Sequence, residues 1–378
     1  MGTIQLNKNQ FQLLGISLLT FALFLYFGDI VALAGNCWGG FGADCWSRWD
    51  SALYIDVAQN GHTVVHCPDY PTDWCGNAGW APLYPFTIRL LHFLFPQIEW
   101  LTLGLYLSHF FVFCSLIFIA FMFPNTKWHT HLLTCLICVF APGNIYLHAI
   151  FPLSMLAFLL LLCFYFLQKS QFISSGIFAF FAVLTYSIGF VLILAIGIWF
   201  IHDFIVNEKL KFNWKKFSFL VFPIIGILTW FVYDYLKTGH WNALFLIQAK
   251  YGHSLNTPWK YMSVRYNDMV LNWNKRDKWI EIQNFALWIV VLYSCFEYWK
   301  LRNENKHWIL FLSFTFLFLA VPYSTSPITA IYRNAVVLIP SWIILTQTIN
   351  YKKTIIALVA FMIFSYPLGI LFIQSVLK

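Results

Sequence analysis

The chain has 378 residues, of which 60% are hydrophobic, 21% aromatic and 10% charged, whereas soluble domains are about 45–50% apolar and about 25% charged; a water-soluble globule is excluded. The net charge of +8 does not point to nucleic acid, because the lysines and arginines stand singly between apolar runs and form no contiguous basic face. With about 20 apolar residues per crossing, residues 1–378 read as a single all-α polytopic membrane domain of about eleven transmembrane helices, with surface helices in a long first loop.

In chain order, the first apolar run, 11–34, is longer than a secretory signal core and lacks a convincing small-residue cleavage site, so it reads as a retained span. A long segment, 35–100, follows. Further spans are expected near 101–123, 131–149, 151–168, 171–186, 188–206 and 217–236. After a second long segment, 237–282, the last spans fall near 283–300, 308–322, 331–349 and 354–376. No inverted repeat, heptad run or low-complexity tract is evident.

Placing the amino terminus inside makes every short inward loop basic, as the positive-inside rule requires. These loops carry Lys127, Lys169, Lys209, Lys211, Lys215, Lys216, Lys300, Arg302, Lys306, Lys352 and Lys353. Both long segments then face outward. The second is itself basic, but long loops are weak votes under the rule.

Cysteine usage agrees. Of the nine cysteines, Cys37, Cys45, Cys67 and Cys75 lie in the first long loop. Cys37 with Cys45 and Cys67 with Cys75 share one spacing, which suits two local disulfides in an oxidising compartment; connectivity is open at this point, since four cysteines allow three pairings. Zinc is the rival reading, although the spacing is not the short one of structural sites. Cys135 and Cys138 lie inside a span and read as small buried apolar residues.

Candidate chemistry concentrates in three places. The stretch WSRWDSALYIDVAQNGH, 46–62, has helical periodicity, with Trp49, Leu53, Tyr54, Val57 and Ala58 along one side and Gly61 as its stop. It reads as an amphipathic helix at the outer membrane surface, holding Arg48, Asp50 and Asp56 near the headgroups. A carboxylate is costly there unless it is paired or used. The bland alternative is that Arg48 pairs with a neighbouring acid and Trp49 anchors the interface. The stretch WAPLYPFTIRLLHFL, 80–94, fixes turns at Pro82 and Pro85 around Tyr84 before a helix carrying Arg89 and His92. Arg89 is either a surface residue or a phosphate ligand, since guanidinium forks fit phosphate oxygens. In 235–268, Gln248, Lys250, His253, Trp259 and Arg265 offer donors and an aromatic platform for sugar hydroxyls and phosphate, or simply a solvated loop. Arg333 stands at the mouth of a late span, to snorkel or to meet an anionic group.

Together these segments carry a resemblance. Arg48, Trp49 and Asp50, with Tyr54, Ala58 and Gly61 behind them, resemble the R-W-D-x-x-x-Y-x-x-I-A-x-x-G-Y stretch of the GPI mannosyltransferase 2 (PIG-V) family and its bacterial relatives. Pro82, Leu83, Tyr84, Pro85 and Arg89 are similar to its F-P-L-Y-P-x-x-x-R; Gly239, Gln248, Pro258 and Trp259 to its G-x-x-x-A-F-x-x-x-Q and P-W region; Arg333 and Pro340 to its late R-x-x-x-x-x-x-P. The chain also departs from that pattern. Phe151, Pro152, Leu153 and Ser154 stand where relatives have Y-S-E, Thr185 and Tyr186 where they have T-R, and His62 where they have tyrosine.

The resemblance implies a GT-C type membrane glycosyltransferase that moves a hexose, mannose by analogy, from a polyprenyl-phosphate donor to a hydroxyl-bearing lipid, glycan or protein acceptor on the outer face. Inversion is expected, with no cofactor, metal or nucleotide site, in keeping with the lack of a P-loop or dinucleotide fingerprint. Asp50 is then the general base, and Arg48, Arg89, Arg265 or Arg333 stabilises the leaving phosphate, with Gln248, His253 and Trp259 binding donor. A retaining route through Asp50 and Asp56 is disfavoured, because residues six apart stand about 240° apart around a helix at about 100° per residue. Asp56 and Tyr84 remain helpers. The location expected is the plasma membrane with a periplasmic or extracellular site, or the endoplasmic reticulum with a lumenal one. The rival classes are a lipid or sugar transporter, which tends to place ionisable groups in mid-membrane, and a non-catalytic subunit of the same fold.

Overall fold

The computed structural model describes residues 8–37, 42–70, 72–141, 143, 145–207, 211–250, 256, 257, 260, 263, 275–325, 331–349 and 351–374. The first span forms α1 (Lys8–Ala34). The loop after it holds a one-turn helix α2 (Ala43–Trp46), α3 (Ser51–Asn60), the strands β1 (Val64–His66) and β2 (Trp74–Gly76), and α4 (Leu83–Leu94). Then follow α5 (Trp100–Met122), α6 (Trp128–Phe140), the short α7 (Ile145–His148), α8 (Leu153–Gln168), α9 (Phe172–Thr185), α10 (Phe190–His202), α11 (Trp214–Thr238) and α12 (Ala243–Lys250). The last part is α13 (Lys275–Lys300), α14 (Trp308–Thr325), a 3-10 segment Ile331–Val337, α15 (Ile339–Thr348) and α16 (Tyr351–Ile373).

Among the described residues, six helical segments are long and apolar enough to cross a membrane: α1, α5, 187–206 around α10, α11, α14 and α16. Helices α6, α8 and α9 are shorter apolar ones, and α13 and α15 stand on the remaining expected spans. The fold is all-α and polytopic. Two spans are more broken than their hydropathy suggests. In 131–149 the helix stops at Phe140, Gly143 takes a positive φ of 90°, and α7 is a single turn. In 331–349 a 3-10 stretch precedes α15, which starts with Pro340 in its first turn. Hydropathy registers apolar side chains, whereas backbone reversals follow from residues that accept or impose unusual dihedrals.

The helices follow membrane packing rules. α1 buries Leu13, Ser17, Thr20, Phe24, Gly28, Val31 and Ala32, a stripe with steps of three and four that turns small residues inward. Leu18, Leu19, Leu23, Tyr26 and Ile30 on the other side are exposed, as lipid-facing residues are. α9 and α11 approach closely: a β-carbon on Gly226 would lie 2.9 Å from the Phe180 carbonyl oxygen. Hydroxyls within the spans back-bond to the carbonyl four residues earlier, as Thr134 does to Thr130, Thr229 to Ile225 and Ser294 to Val290, which satisfies them without water.

At the end of the bundle where α1 finishes, Cys37–Cys45 and Cys67–Cys75 are disulfide-bonded. The four thiols that zinc would have needed are therefore paired. β1 and β2 run antiparallel with Val65 opposite Cys75, so the second bridge, from Cys67 just after β1, closes the loop end of the hairpin. Gly76, at φ 138° and against the Thr63 carbonyl, sits where no side chain fits.

Candidate active site

Asp50 is placed by its neighbours in the chain. The Cys37–Cys45 bridge holds α2 to the end of α1, and Trp46 stacks on His148 and Phe372 with ring centroids 4.9 and 6.4 Å apart. Trp49 then adopts a left-handed φ of 53°, unusual for a bulky residue. It turns the chain so that Asp50 becomes the N-cap of α3, with its carbonyl accepting from the Leu53 and Tyr54 amides. A carboxylate at a helix N-terminus lies in a favourable field. The expected inward side of α3 is seen at Tyr54, Val57 and Ala58, all buried; Leu53 is half-buried and Trp49 is exposed.

The carboxylate faces Arg333. Their side chains form an ion pair, Nη1 to Oδ2, at 3.2 Å, with 22% of the arginine and 28% of the aspartate side chain exposed. Around the guanidinium lie the phenols of Tyr186, Tyr146 and Tyr54, its electrostatic neighbours besides Asp50. Its Nε is buried and has no hydrogen-bond partner among the described residues. Phe151 packs edge-on against Tyr54 and Tyr146, at 5.7 and 5.2 Å. Burial pushes the Tyr54 phenol well above its ordinary range, Tyr186 and Asp50 push it further, and Arg333 opposes them. Tyr54 is thus a neutral donor at physiological pH, and Asp50 is the group beside Arg333 suited to accept a proton.

The other candidates separate by their partners. Arg48 donates to the carbonyls of Ile373, Asp44 and Ser47, tying the Asp50 segment to the end of α16; it pairs with the backbone of Asp44, not with its carboxylate. Arg89 donates from Nε to the Ala58 carbonyl at 2.6 Å and from Nη2 to that of Val57 at 3.2 Å. It caps the C-terminal end of α3, where cations are favoured. Asp56 accepts from Asn60 and Asn77, and Asn77 also bonds Thr63 and Gly61; this acid braces the turn after α3. Tyr84 bonds the Gly104 carbonyl and Ser108 within the core. Gln248 donates to the Gly79 carbonyl at 3.2 Å, joining α12 to the loop after the hairpin. Arg265, His253 and Trp259 lie outside the described residues.

Three features of this end were not anticipated. Tyr186, read only as a departure from an arginine, shares the site with Asp50 and Arg333. Tyr146, on the broken span, does the same. His62 Nδ1 and Asp234 Oδ1 are hydrogen-bonded with both side chains sealed from solvent, and the His62 amide donates to the Tyr233 hydroxyl at 3.3 Å. An acid within an apolar run is the one signal that could have marked Asp234. Below this end, an open groove of about 340 Å³ between α1 and α5 is lined by Phe21, Leu25, Tyr106, His109, Phe110 and Phe113.

No known family profile matches the chain, and no curated protein matches it by sequence. Its fold is similar to that of the crystal structure of ArnT from Cupriavidus metallidurans bound to undecaprenyl phosphate, with a TM-score of 0.54 and 13% identity over 91% of this chain. The chain spans 62% of the length of that ArnT chain. At this identity the likeness concerns the fold alone: an all-α polytopic membrane architecture.

Proposed function

We propose that the protein is an inverting membrane glycosyltransferase that transfers a hexose from a polyprenyl-phosphate donor to a hydroxyl of a lipid, glycan or protein acceptor, with Asp50 as general base. The observation that carries this reading is the ion pair of Asp50 with Arg333, two residues 283 positions apart, at one end of a GT-C-like bundle. Such a pair supplies what the reaction needs: a carboxylate to take the acceptor proton and a fixed guanidinium for the charge that grows on the leaving phosphate. The acceptor oxygen attacks the anomeric carbon as its proton passes to Asp50. The bond from that carbon to the phosphate oxygen breaks, and polyprenyl phosphate departs against Arg333.

The ArnT structure, which holds undecaprenyl phosphate, supports a lipid-phosphate donor. The apolar groove between α1 and α5 suits an isoprenoid chain. Mannose is favoured by the motifs around Asp50, Arg89 and Arg333 that resemble the PIG-V family. The two disulfides favour an oxidising face, hence a periplasmic, extracellular or lumenal site. Arg48 and Arg89 serve in this reading by holding the two ends of the Asp50 segment.

The test is transfer by the purified full chain in detergent, with polyprenyl-phosphate mannose as donor and the host's glycolipid fraction as acceptor. Wild type should give a mass increment of one hexose on an acceptor, and Asp50→Asn should be folded and inactive. Normal turnover by that variant, or movement of lipid across a bilayer without any transfer, removes the assignment.

A further inference from the structure

Arg333 differs from the other arginines near Asp50. Arg48 and Arg89 spend their donors on backbone carbonyls, whereas the Arg333 side chain, among the described residues, makes one hydrogen bond of 3.2 Å, from Nη1 to Asp50 Oδ2. Its Nε is buried without a hydrogen-bond partner among the described residues. A guanidinium presents a planar fork that grips a phosphate through two parallel hydrogen bonds, and here part of that fork is idle. The phenols of Tyr186, Tyr146 and Tyr54 are its other electrostatic neighbours. Both members of the pair remain partly open to solvent, so an incoming anion can reach them without unfolding the site.

We infer that Asp50 and the donor phosphate compete for this one guanidinium, so that Arg333 is masked in the resting protein and phosphate binding is what frees the base. This rests on the transfer reaction proposed above and adds an order to it. While Oδ2 accepts from Arg333, it is not offered to an acceptor hydroxyl. A phosphate that takes over Nη1, with Nη2 as the second prong of the fork, releases the carboxylate toward the acceptor, so donor binds before the acceptor is activated. After transfer Asp50 carries the acceptor proton and cannot compete. Once it passes that proton to water, the carboxylate reclaims Arg333 and helps to expel polyprenyl phosphate.

Binding of sugar-free undecaprenyl phosphate to the purified full chain in detergent tests this without any turnover. Asp50→Asn should bind it about 10-fold more tightly than wild type, within the usual range of coupling between linked equilibria. Arg333→Gln should bind more weakly, and in that background Asp50→Asn should change affinity by less than about 2-fold. If Asp50→Asn tightens binding equally with and without Arg333, simple repulsion between the two anions explains it and the mask is overturned. If Asp50→Asn abolishes transfer but leaves binding unchanged, the mask fails while the base assignment stands. If neither wild type nor Asp50→Asn binds the lipid phosphate, the donor class and the mask fail together. Intact disulfides and a monodisperse elution profile establish folding of each variant, and Arg333→Lys, expected to bind at an intermediate level, replaces Arg333→Gln if the latter does not fold.

Discussion

The His62–Asp234 pair is the most exacting test of how the site is held. Both side chains are 0% exposed, and the contact joins the residue after Gly61, the C-cap of α3, to the last turns of α11. Asp234→Ala leaves a sealed imidazole without its partner, and removing one member of a buried pair costs about 3–5 kcal/mol. Domains of 150–250 residues lose about 2–4 °C per kcal/mol and longer chains lose less. A fall of roughly 5–10 °C in the unfolding midpoint is therefore expected in detergent, compared at one scan rate because such unfolding is often irreversible. Transfer should fall as well, since α3 carries Asp50 at its opposite end. The double variant His62→Phe with Asp234→Leu removes both polar groups and should recover most of the lost midpoint, as apolar replacements of buried pairs do. If the double variant loses as much as the two single ones combined, the residues do not act as a pair and this account of the anchor is wrong.

The remaining expectations are shorter. Arg89→Gln removes the cap on α3 and should cost about 1–2 kcal/mol, lowering kcat while the donor KM changes little; a rise in donor KM alone would instead make Arg89 a phosphate ligand. Replacing Cys67 and Cys75 by serine opens a bridge of sequence separation 8 and should cost about 2–3 kcal/mol, read as a lower unfolding midpoint than wild type when both are oxidised and a converging one when both are reduced. Burial raises the Tyr54 and Tyr84 phenols, so in the fold they stay protonated where the unfolded chain ionises. Stability linked to them is present below about pH 10 and is lost as pH rises past it. Tyr54→Phe should flatten that alkaline decline in a pH series of unfolding midpoints.

Much of the fold could be read from the residues in order. A run such as that of α1 can satisfy its backbone in lipid only as a helix, so apolar length translated directly into spans. Apolar length failed where the backbone turns inside such a run, at Gly143 and before Pro340, because it averages over the few turn-forming or polar residues there, Pro142, Gly143 and Asn144 in one case and Arg333 and Asn334 in the other. The shared spacing of Cys37 with Cys45 and Cys67 with Cys75 matched the bridges formed, since short loops bring their ends together readily. Asp50 stood out as a carboxylate among interfacial aromatics, and it does lie at a polar site. The individual arginines were harder: Arg48, Arg89 and Arg333 have the same side chain, and only their surroundings decide whether the donors meet carbonyls or a carboxylate.

By itself, then, the amino-acid order determined a polytopic helical membrane chain, a stapled first loop and Asp50 as its most conspicuous acid. These are local consequences of hydrophobicity, backbone satisfaction and short loop closure. Only the tertiary structure decided that Arg333 is the partner of Asp50, that Tyr186 and Tyr146 border the pair, and that His62 is locked to Asp234. Those contacts join positions 283 and 172 residues apart, and such meetings depend on how the helices cross in three dimensions, which no local pattern encodes.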